Sequence, residues 1–288
     1  MEKDYDTLVL SGGGIKGFCL LGGVQSLIDM GKLNNIDKFI GTSVGAIICY
    51  FLAIGYKPIE IIVELYLNKF FEKMAHFNLV EMINGNGAIG YDKITESLEK
   101  LTLCKIGRFL TLGKLKEIYG KTLICCTYNT SLCTTEYLSP ENSPDLPCLT
   151  ALRMSSNIPL IFERFKYMDN YYIDGGIVDN FPISKGIEIG EKAIGLHLDI
   201  DEKSFKDRPE DGMATYIIRL LYIPMIHSSK IKFEEYKNKA TIISIPTEMK
   251  NIVDFDIKSK IRLDMFSIGY ESVKKNFKEE KNDLPFPI

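Results

Sequence analysis

The sequence predicts an α/β fold, in which a mostly parallel central sheet is sandwiched between helices as three layers of a single domain. Two apolar strand candidates, Asp6–Leu10 and Phe39–Ile40, each run into a glycine-rich turn and then into a helix-like apolar segment. Strands that alternate with helices in this way favour a parallel sheet that is covered on both faces. A length of 288 residues with 45% hydrophobic and 25% charged residues is typical of one soluble, enzyme-sized domain.

The first glycine turn follows the first strand directly. Gly12, Gly14 and Gly17 fit the pattern G-x-G-x-x-G, and Asp37 stands about twenty residues further on. Several backbone N–H groups point to one place where a strand, a glycine turn and a helix N-terminus meet, so the turn favours negative charge. It can bind a phosphate or stabilise the oxyanion of an acyl intermediate. A Walker A loop is excluded, because Phe18 stands where a lysine would follow the last glycine.

The second turn, Gly41–Gly45, matches G-x-S-x-G, the pattern of a nucleophile elbow. A serine at such a strand-to-helix turn has a strained backbone, and its hydroxyl lies close to backbone N–H groups. The flanking glycines avoid a collision between a Cβ and the neighbouring backbone. The uncharged run Phe39–Tyr56 approaches the length of a membrane span, but it divides naturally into a strand, the turn and a core helix.

A third element consists of Asp174 followed by Gly175 and Gly176, after the strand candidate Tyr171–Ile173. An aspartate at a strand end, followed by glycines that let a substrate approach, is a candidate acid–base group. The same residues also fit an ordinary Asp-Gly turn.

Together and in this order, the three elements resemble the patatin-like phospholipase family, which carries a glycine-rich oxyanion loop, a G-x-S-x-G elbow and a D-G-G/A element. The resemblance covers roughly residues 5–200, and residues 151–162 and 179–182 look like the family's segments around the aspartate. It implies a Ser-Asp dyad, in which Ser43 attacks the acyl carbonyl and Asp174 accepts its proton. The implied oxyanion hole consists of Gly12, Gly13 and Gly14. The other motif residues are Lys16, Gly17, Gly41, Gly45, Gly175 and Gly176.

The resemblance implies a lipid acyl hydrolase that cleaves carboxylic ester bonds of phospholipids or related acyl lipids and needs no metal or cofactor. Three alternatives stay open. The first is an α/β-hydrolase esterase that uses His197 or His227 as the base, since both follow Ser43 and Asp174 in the order that this fold requires. The second is a nucleotide-binding module built on the glycine turn, which NAD titration would detect. The third is a lipid-binding protein without activity.

The net charge of −3, without a concentrated basic patch, argues against a nucleic-acid partner. Seven scattered cysteines and no secretory signal favour reduced thiols and a cytoplasmic setting, with peripheral contact at membranes. The sequence does not indicate whether a protein activator is needed.

Residues 201–288 are expected to form a C-terminal helical extension that packs on the same domain. The apolar run Ala214–Met225 is followed by several lysines, and Pro224 is expected to end or kink its helix. This run is a candidate lid or membrane-contact segment, and the alternative is a helix that packs in the core.

Overall fold

The computed structural model describes residues 5–67, 87–201, 212–247 and 259–282. The strands in these ranges are β1 (Thr7–Leu10), β2 (Lys38–Thr42), β3 (Thr122–Asn129), β4 (Thr134–Leu138), β5 (Phe165–Tyr167), β6 (Asn170–Asp174), β7 (Ala193–Ile200) and β8 (Thr241–Thr247). The helices are α1 (Gly17–Asp29), α2 (Val44–Ala53), α3 (Pro58–Leu67), α4 (Asp92–Ile106), α5 (Leu112–Tyr119), α6 (Cys148–Ser155), α7 (Gly176–Asp179), α8 (Ile183–Ile189), α9 (Met213–Tyr236) and α10 (Ser259–Asn282). A short 3₁₀ helix, Gly14–Lys16, precedes α1.

The described strands form a single sheet. Its parallel part runs in the order β3, β2, β1, β7, β8, and the antiparallel strands β4, β5 and β6 extend it beyond β3. Thr7 at the start of β1 lies opposite Lys38 on one side and Ala193 on the other. The predicted fold class, a mostly parallel sheet between helices, is confirmed.

Alternation along β1 divides the interior into two layers. Leu8 and Leu10 belong to the larger core, which α1 and α2 cover, whereas Val9 packs with Phe181 and Ile183 in the smaller core on the opposite face. Such alternation is the direct result of the two-residue period of a strand. Both faces of the sheet are therefore buried, as three layers require.

The uncharged run Phe39–Tyr56 forms most of β2, the serine turn and α2, as its composition predicts. Over the ranges that the structure describes, no single helix has the length and apolar composition needed to cross a membrane. Helices α2 and α3 meet those criteria only as a pair, and they are bent by 110°.

Strand β3 brings the two candidate catalytic residues together. Cys126 pairs with the last residue of β2 on one edge and with β4 on the other. The next residue, Thr127, still pairs with β4, but its other partner is Asp174, the last residue of β6. Strand β6 therefore continues along the edge that β2 leaves. The C-terminal ends of β2 and β6 therefore face each other beside Cys126 and Thr127, and this brings Ser43 and Asp174 together.

The C-terminal region contains a strand as well as helices. Thr241–Thr247 forms β8, which pairs with β7 and extends the sheet, so the prediction of a helical extension omits this strand. Helix α9 continues through Pro224 to Tyr236, so the proline does not end the helix, and the kink that was the other expected effect stays a prediction. Proline removes one backbone hydrogen bond, but Tyr222 and Ile226 on its two sides are buried in the core and stabilise the helix.

Helix α10 packs along α1, and their backbones approach closely at two glycines. A Cβ on Gly22 would overlap the carbonyl oxygen of Phe266, and one on Gly269 would overlap that of Cys19. The two helices, which come from opposite ends of the described chain, thus form one tightly packed layer.

Candidate active site

Ser43 lies in the sharp turn between β2 and α2, with φ at 56° and ψ at −126°. A residue with a side chain rarely adopts this conformation, which costs about 1–3 kcal/mol, so the surrounding contacts must stabilise it. A Cβ on Gly45 would lie 2.5 Å from the carbonyl oxygen of Leu10, and one on Gly41 would lie 2.6 Å from that of Gly45. Only glycine fits at both flanking positions, and the geometry matches that of a nucleophile elbow.

The segment before the aspartate holds both candidate residues in place. The Ser155 hydroxyl accepts the N–H of Ser43 at 3.0 Å and donates to the carbonyl oxygen of Cys126 at 2.6 Å. The carbonyl oxygen of Asn157 accepts the N–H of Asp174 at 2.9 Å. The sequence marked this segment as family-like but indicated no such role, because the contacts depend on how distant strands are paired.

Asp174 is 1% exposed. Its Oδ1 accepts the N–H of Gly176 at 2.7 Å, and its Oδ2 has no hydrogen-bond partner of normal geometry among the described residues. Burial raises the pKa of Asp174 to about 6, although the Ser43 hydroxyl and the Gly176 N–H act to lower it. The Ser43 hydroxyl is near enough to affect this pKa, but it forms no hydrogen bond with the carboxyl, which is common for catalytic groups before substrate binds. A carboxyl with this pKa can act as a general base near neutral pH.

The glycine loop passes beside the nucleophile, since a Cβ on Gly12 would lie 3.4 Å from that of Ser43. The Gly12 N–H donates to the carbonyl oxygen of Asn180 at 2.9 Å. This bond takes Gly12 out of the predicted oxyanion set. The N–H groups of Gly13 and Gly14 donate to no other described residue, so they can still receive a ligand.

The remaining motif residues determine how closely the site packs. A Cβ on Gly17 would lie 2.6 Å from Cγ2 of Val44, so this glycine lets α1 and α2 approach. A Cβ on Gly175 would overlap the carbonyl oxygen of Cys126. Lys16 is 3% exposed, and burial lowers the pKa of its ammonium group to about 8. Its Nζ has no hydrogen-bond partner within the described ranges.

Neither histidine that could act as an alternative base contacts this site in the described part of the chain. His197 lies between the rings of Phe181 and Phe233, and its Nδ1 is 3.3 Å from the hydroxyl of Ser244. Burial lowers the pKa of His197 to about 4. His227 is exposed on α9. The sequence order that a triad needs is present, but these positions do not favour the triad.

The position of Asp37 bears on the nucleotide-binding interpretation. Asp37 lies just before β2, where its N–H donates to the carbonyl oxygen of Asp6 at 3.1 Å. The glycine loop follows the other end of β1, which is parallel to β2. A dinucleotide needs its acidic residue and its glycine loop at the same edge of the sheet, so this arrangement does not favour nucleotide binding.

An apolar cavity of about 150 Å³ has Ser43 in its lining. Its walls come from α1, α2, α3, α4 and the segment after α6, and include Ile47, Leu98 and Phe162. Apart from Ser43, the hydroxyl-bearing residues that line it are Ser97 and Ser156. A narrow apolar cavity of this kind suits a hydrocarbon chain.

A serine on a strand-to-helix turn, beside a buried aspartate at the carboxyl edge of a mostly parallel sheet, places this protein among α/β proteins with a nucleophile elbow. Within that class, residues 8–186 match the model of the family described as patatin-like phospholipase. Because the match covers more than half of the 288 residues, the chain belongs to the patatin-like phospholipase family. The family predicted from the three motifs is confirmed.

Related proteins agree with this assignment. A probable lipid hydrolase of Invertebrate iridescent virus 6 is 38% identical over 196 residues, which are 66% of this chain and 66% of the viral protein. An uncharacterised protein of Acanthamoeba polyphaga mimivirus, R571, is 29% identical over 286 residues and is covered to 94%. The crystal structure of VipD from Legionella pneumophila has a TM-score of 0.58 at 18% identity, over 96% of this chain and 67% of VipD. This likeness supports the fold.

Proposed function

We propose that this protein is a lipid acyl hydrolase that cleaves carboxylic ester bonds of phospholipids or related acyl lipids through an acyl-enzyme on Ser43. The observation that carries the proposal is that Ser43, which follows the strand end beside the buried Asp174, lines an apolar cavity. Membership of a phospholipase-like family, and a viral relative named a probable lipid hydrolase, support the same class of substrate.

In the first half of the reaction, Ser43 Oγ attacks the acyl carbon while its proton passes to Oδ2 of Asp174. A serine hydroxyl needs such a base, because it is a weak nucleophile with its proton in place. The N–H groups of Gly13 and Gly14 donate to the oxyanion, and each such donor contributes about 3–4 kcal/mol in other hydrolases. When the carbonyl re-forms, the carbon–oxygen bond of the ester breaks and Asp174 gives its proton to the leaving alcohol.

In the second half, Asp174 accepts a proton from water, whose oxygen attacks the acyl carbon. The fatty acid leaves when the bond to Ser43 breaks, and the proton on Asp174 returns to the serine oxygen. The backbone N–H groups supply the stabilisation that a metal ion would otherwise give, so the scheme needs neither a metal nor a cofactor.

Fatty-acid release from mixed phospholipid vesicles, with a chelator present throughout, tests this function. We expect release by the wild type and only background release by Ser43→Ala, because the substitution removes the proposed nucleophile. Ser26→Ala, which changes a serine that is 1% exposed in α1, is the matched control and should stay active. Release by Ser43→Ala at the wild-type rate would refute the acyl-enzyme.

The same assay separates the dyad from the histidine-dependent alternative. His227→Ala and His197→Ala are expected to keep wild-type turnover, and the fold of the second variant must be checked because His197 is 2% exposed. Loss of turnover in a folded histidine variant would favour a triad.

We also propose that residues 5–200 supply the nucleophile and the base, while α9 contacts the lipid surface that holds the substrate. One side of α9 carries exposed apolar side chains at a spacing of three and four residues: Met213 (68% exposed), Tyr216 (44%), Leu220 (48%) and Ile223 (53%). Lysines contribute less than expected, since Lys232 pairs with Asp179 and Lys237 pairs with Glu234. Apolar contact is therefore the main attraction to the membrane.

Combining Leu220→Asp with Ile223→Asp is expected to weaken liposome binding by at least roughly 30-fold, because burying one such side chain contributes about 1.5–3 kcal/mol. Hydrolysis of a soluble short-chain ester should continue. Ile223 is chosen over the half-buried Leu221 so that folding is not affected. Ile118→Asp is the control, since Ile118 is 44% exposed and precedes β3 at the opposite end of the sheet. Unchanged liposome binding by the double variant would show that this face of α9 does not touch the membrane.

A further inference from the structure

Helix α9 lies against the active site with a face whose residues recur every three or four positions. Cε of Met225 lies 2.5 Å from the position of a Cβ on Gly176. The Ser229 hydroxyl accepts a hydrogen bond from Nδ2 of Asn180 at 3.2 Å, and Lys232 forms an ion pair with Asp179. All three contacts are with the segment that follows Asp174. The position of α9 over the site is thus set by side-chain contacts along its length.

The residue of this face that lies nearest the glycine loop is Tyr222. Its hydroxyl oxygen lies 3.6 Å from the position of a Cβ on Gly14, and among the described residues no other heavy atom beyond the adjoining backbone comes within 4 Å of that point. Tyr222 is 6% exposed, yet its hydroxyl donates to no other described residue. A donor thus stands unused beside a backbone N–H that is also unused.

The chemical environment keeps this donor protonated. Burial raises the pKa of Tyr222, and the negative charge of Asp174 raises it further. The hydroxyl therefore holds its hydrogen over the range in which Asp174 is ionised and can act as a base.

We propose that Tyr222 completes the oxyanion hole by donating its hydroxyl hydrogen to the oxyanion that the Gly13 and Gly14 N–H groups also bind. The inference rests on the proposed function and extends it, because α9 lies outside the matched range 8–186. Tyrosine hydroxyls serve as oxyanion donors in other hydrolytic sites. The donor replaces the Gly12 N–H, which is bonded to Asn180. Only a hydrogen bond forms, and no proton is transferred.

The test is Tyr222→Phe, which removes one oxygen and keeps the ring. With a soluble short-chain ester, we expect kcat to fall about 10²–10³-fold, the usual effect of losing one oxyanion donor, while KM stays close to the wild-type value. A trifluoromethyl ketone, which adds to Ser43 as a tetrahedral adduct, should bind more weakly by the same factor, because the hydrogen bond exists only in the tetrahedral state. Tyr236→Phe, which removes a hydroxyl at the last residue of the same helix, should change neither quantity.

Each outcome has a definite meaning. If Tyr222→Phe keeps both kcat and ketone affinity while Ser43→Ala is inactive, Tyr222 only packs against the loop, the inference is wrong and the proposed function stands. If the folded wild type neither hydrolyses esters nor binds the ketone at Ser43, the proposed function and the inference both fall. If Tyr222→Phe melts at a lower temperature, the ketone affinity of the folded fraction still shows whether Tyr222 donates to the oxyanion or only packs against the loop.

Discussion

Asp174→Asn is expected to lower kcat for fatty-acid release by about 10²–10⁴-fold, the usual contribution of a positioned general base. Asparagine has nearly the same shape and can keep the hydrogen bond from Gly176, but it cannot accept the proton of Ser43. In the wild type, kcat should fall as the pH is lowered through about 6, because burial raises the pKa of Asp174 to about 6 and protonation removes the base. An active Asp174→Asn would overturn the dyad and return attention to the histidines.

The same substitution is expected to stabilise the fold at alkaline pH. The pKa of Asp174 rises from an ordinary value of 3.8 to about 6 on folding, so the folded protein binds this proton more tightly than the unfolded chain. The resulting stability is fully present below pH 3.8 and is lost as the pH rises through about 6. A shift of this size corresponds to about 3 kcal/mol of unfolding free energy at pH 8.

Thermal unfolding at pH 4 and pH 8 measures this effect, since Asp174→Asn should raise the melting temperature only at pH 8. Asp169→Asn, which changes a fully exposed aspartate with a side-chain exposure of 102%, should alter neither activity nor stability. An equal melting temperature for wild type and Asp174→Asn at pH 8 would show that the carboxylate is better solvated than its burial indicates. A gain in stability with a loss of activity is the usual sign of a group kept for function.

Ser97→Phe is expected to convert the enzyme into one that prefers short acyl chains. Ser97 lies in α4, is 4% exposed and lines the same cavity as Ser43. A phenyl ring at this position would fill space that the acyl chain needs. Excluding three methylenes costs about 2.4 kcal/mol at 0.8 kcal/mol each, which is about 50-fold in kcat/KM for long-chain esters.

The measurement compares kcat/KM for esters of about four and about sixteen acyl carbons, and only the value for the long ester should fall. Leu103→Phe is the matched control, because Leu103 lies on the same helix and is 44% exposed. If Ser97→Phe leaves the ratio of the two rates unchanged in a protein that melts normally, the acyl chain does not occupy this cavity.

Local patterns predicted the turns of this protein, because the properties that form them are local. The serine turn needs two glycines, a strand before it and an apolar helix after it, and the residues around Ser43 contain all of these. The aspartate was found in the same way, by its glycines. Which groups the two residues contact depends on the pairing of β3 with β2 and β6, and no short pattern encodes that pairing.

The glycine loop also shows what a sequence pattern cannot predict. The pattern of three glycines predicts a cluster of N–H groups, but it does not show that the Gly12 N–H is bonded to Asn180. Tyr222 lies in a helix that the sequence marked only as apolar, so its hydroxyl beside Gly14 could not be foreseen. Strand β8 could have been predicted locally, because its β-branched residues are a strand signal.

The close crossing of α1 and α10 also affects how the chain folds during synthesis. Helix α1 begins directly after the glycine loop, and its partner α10 ends at Asn282. Gly22 and Gly269 let the two backbones approach closely, so α10 covers one side of α1. Helix α1 therefore cannot complete its native packing until almost the whole described chain has left the ribosome. Contacts between such distant parts of a chain slow folding, so the nascent protein gains a finished nucleophile site only late in its synthesis.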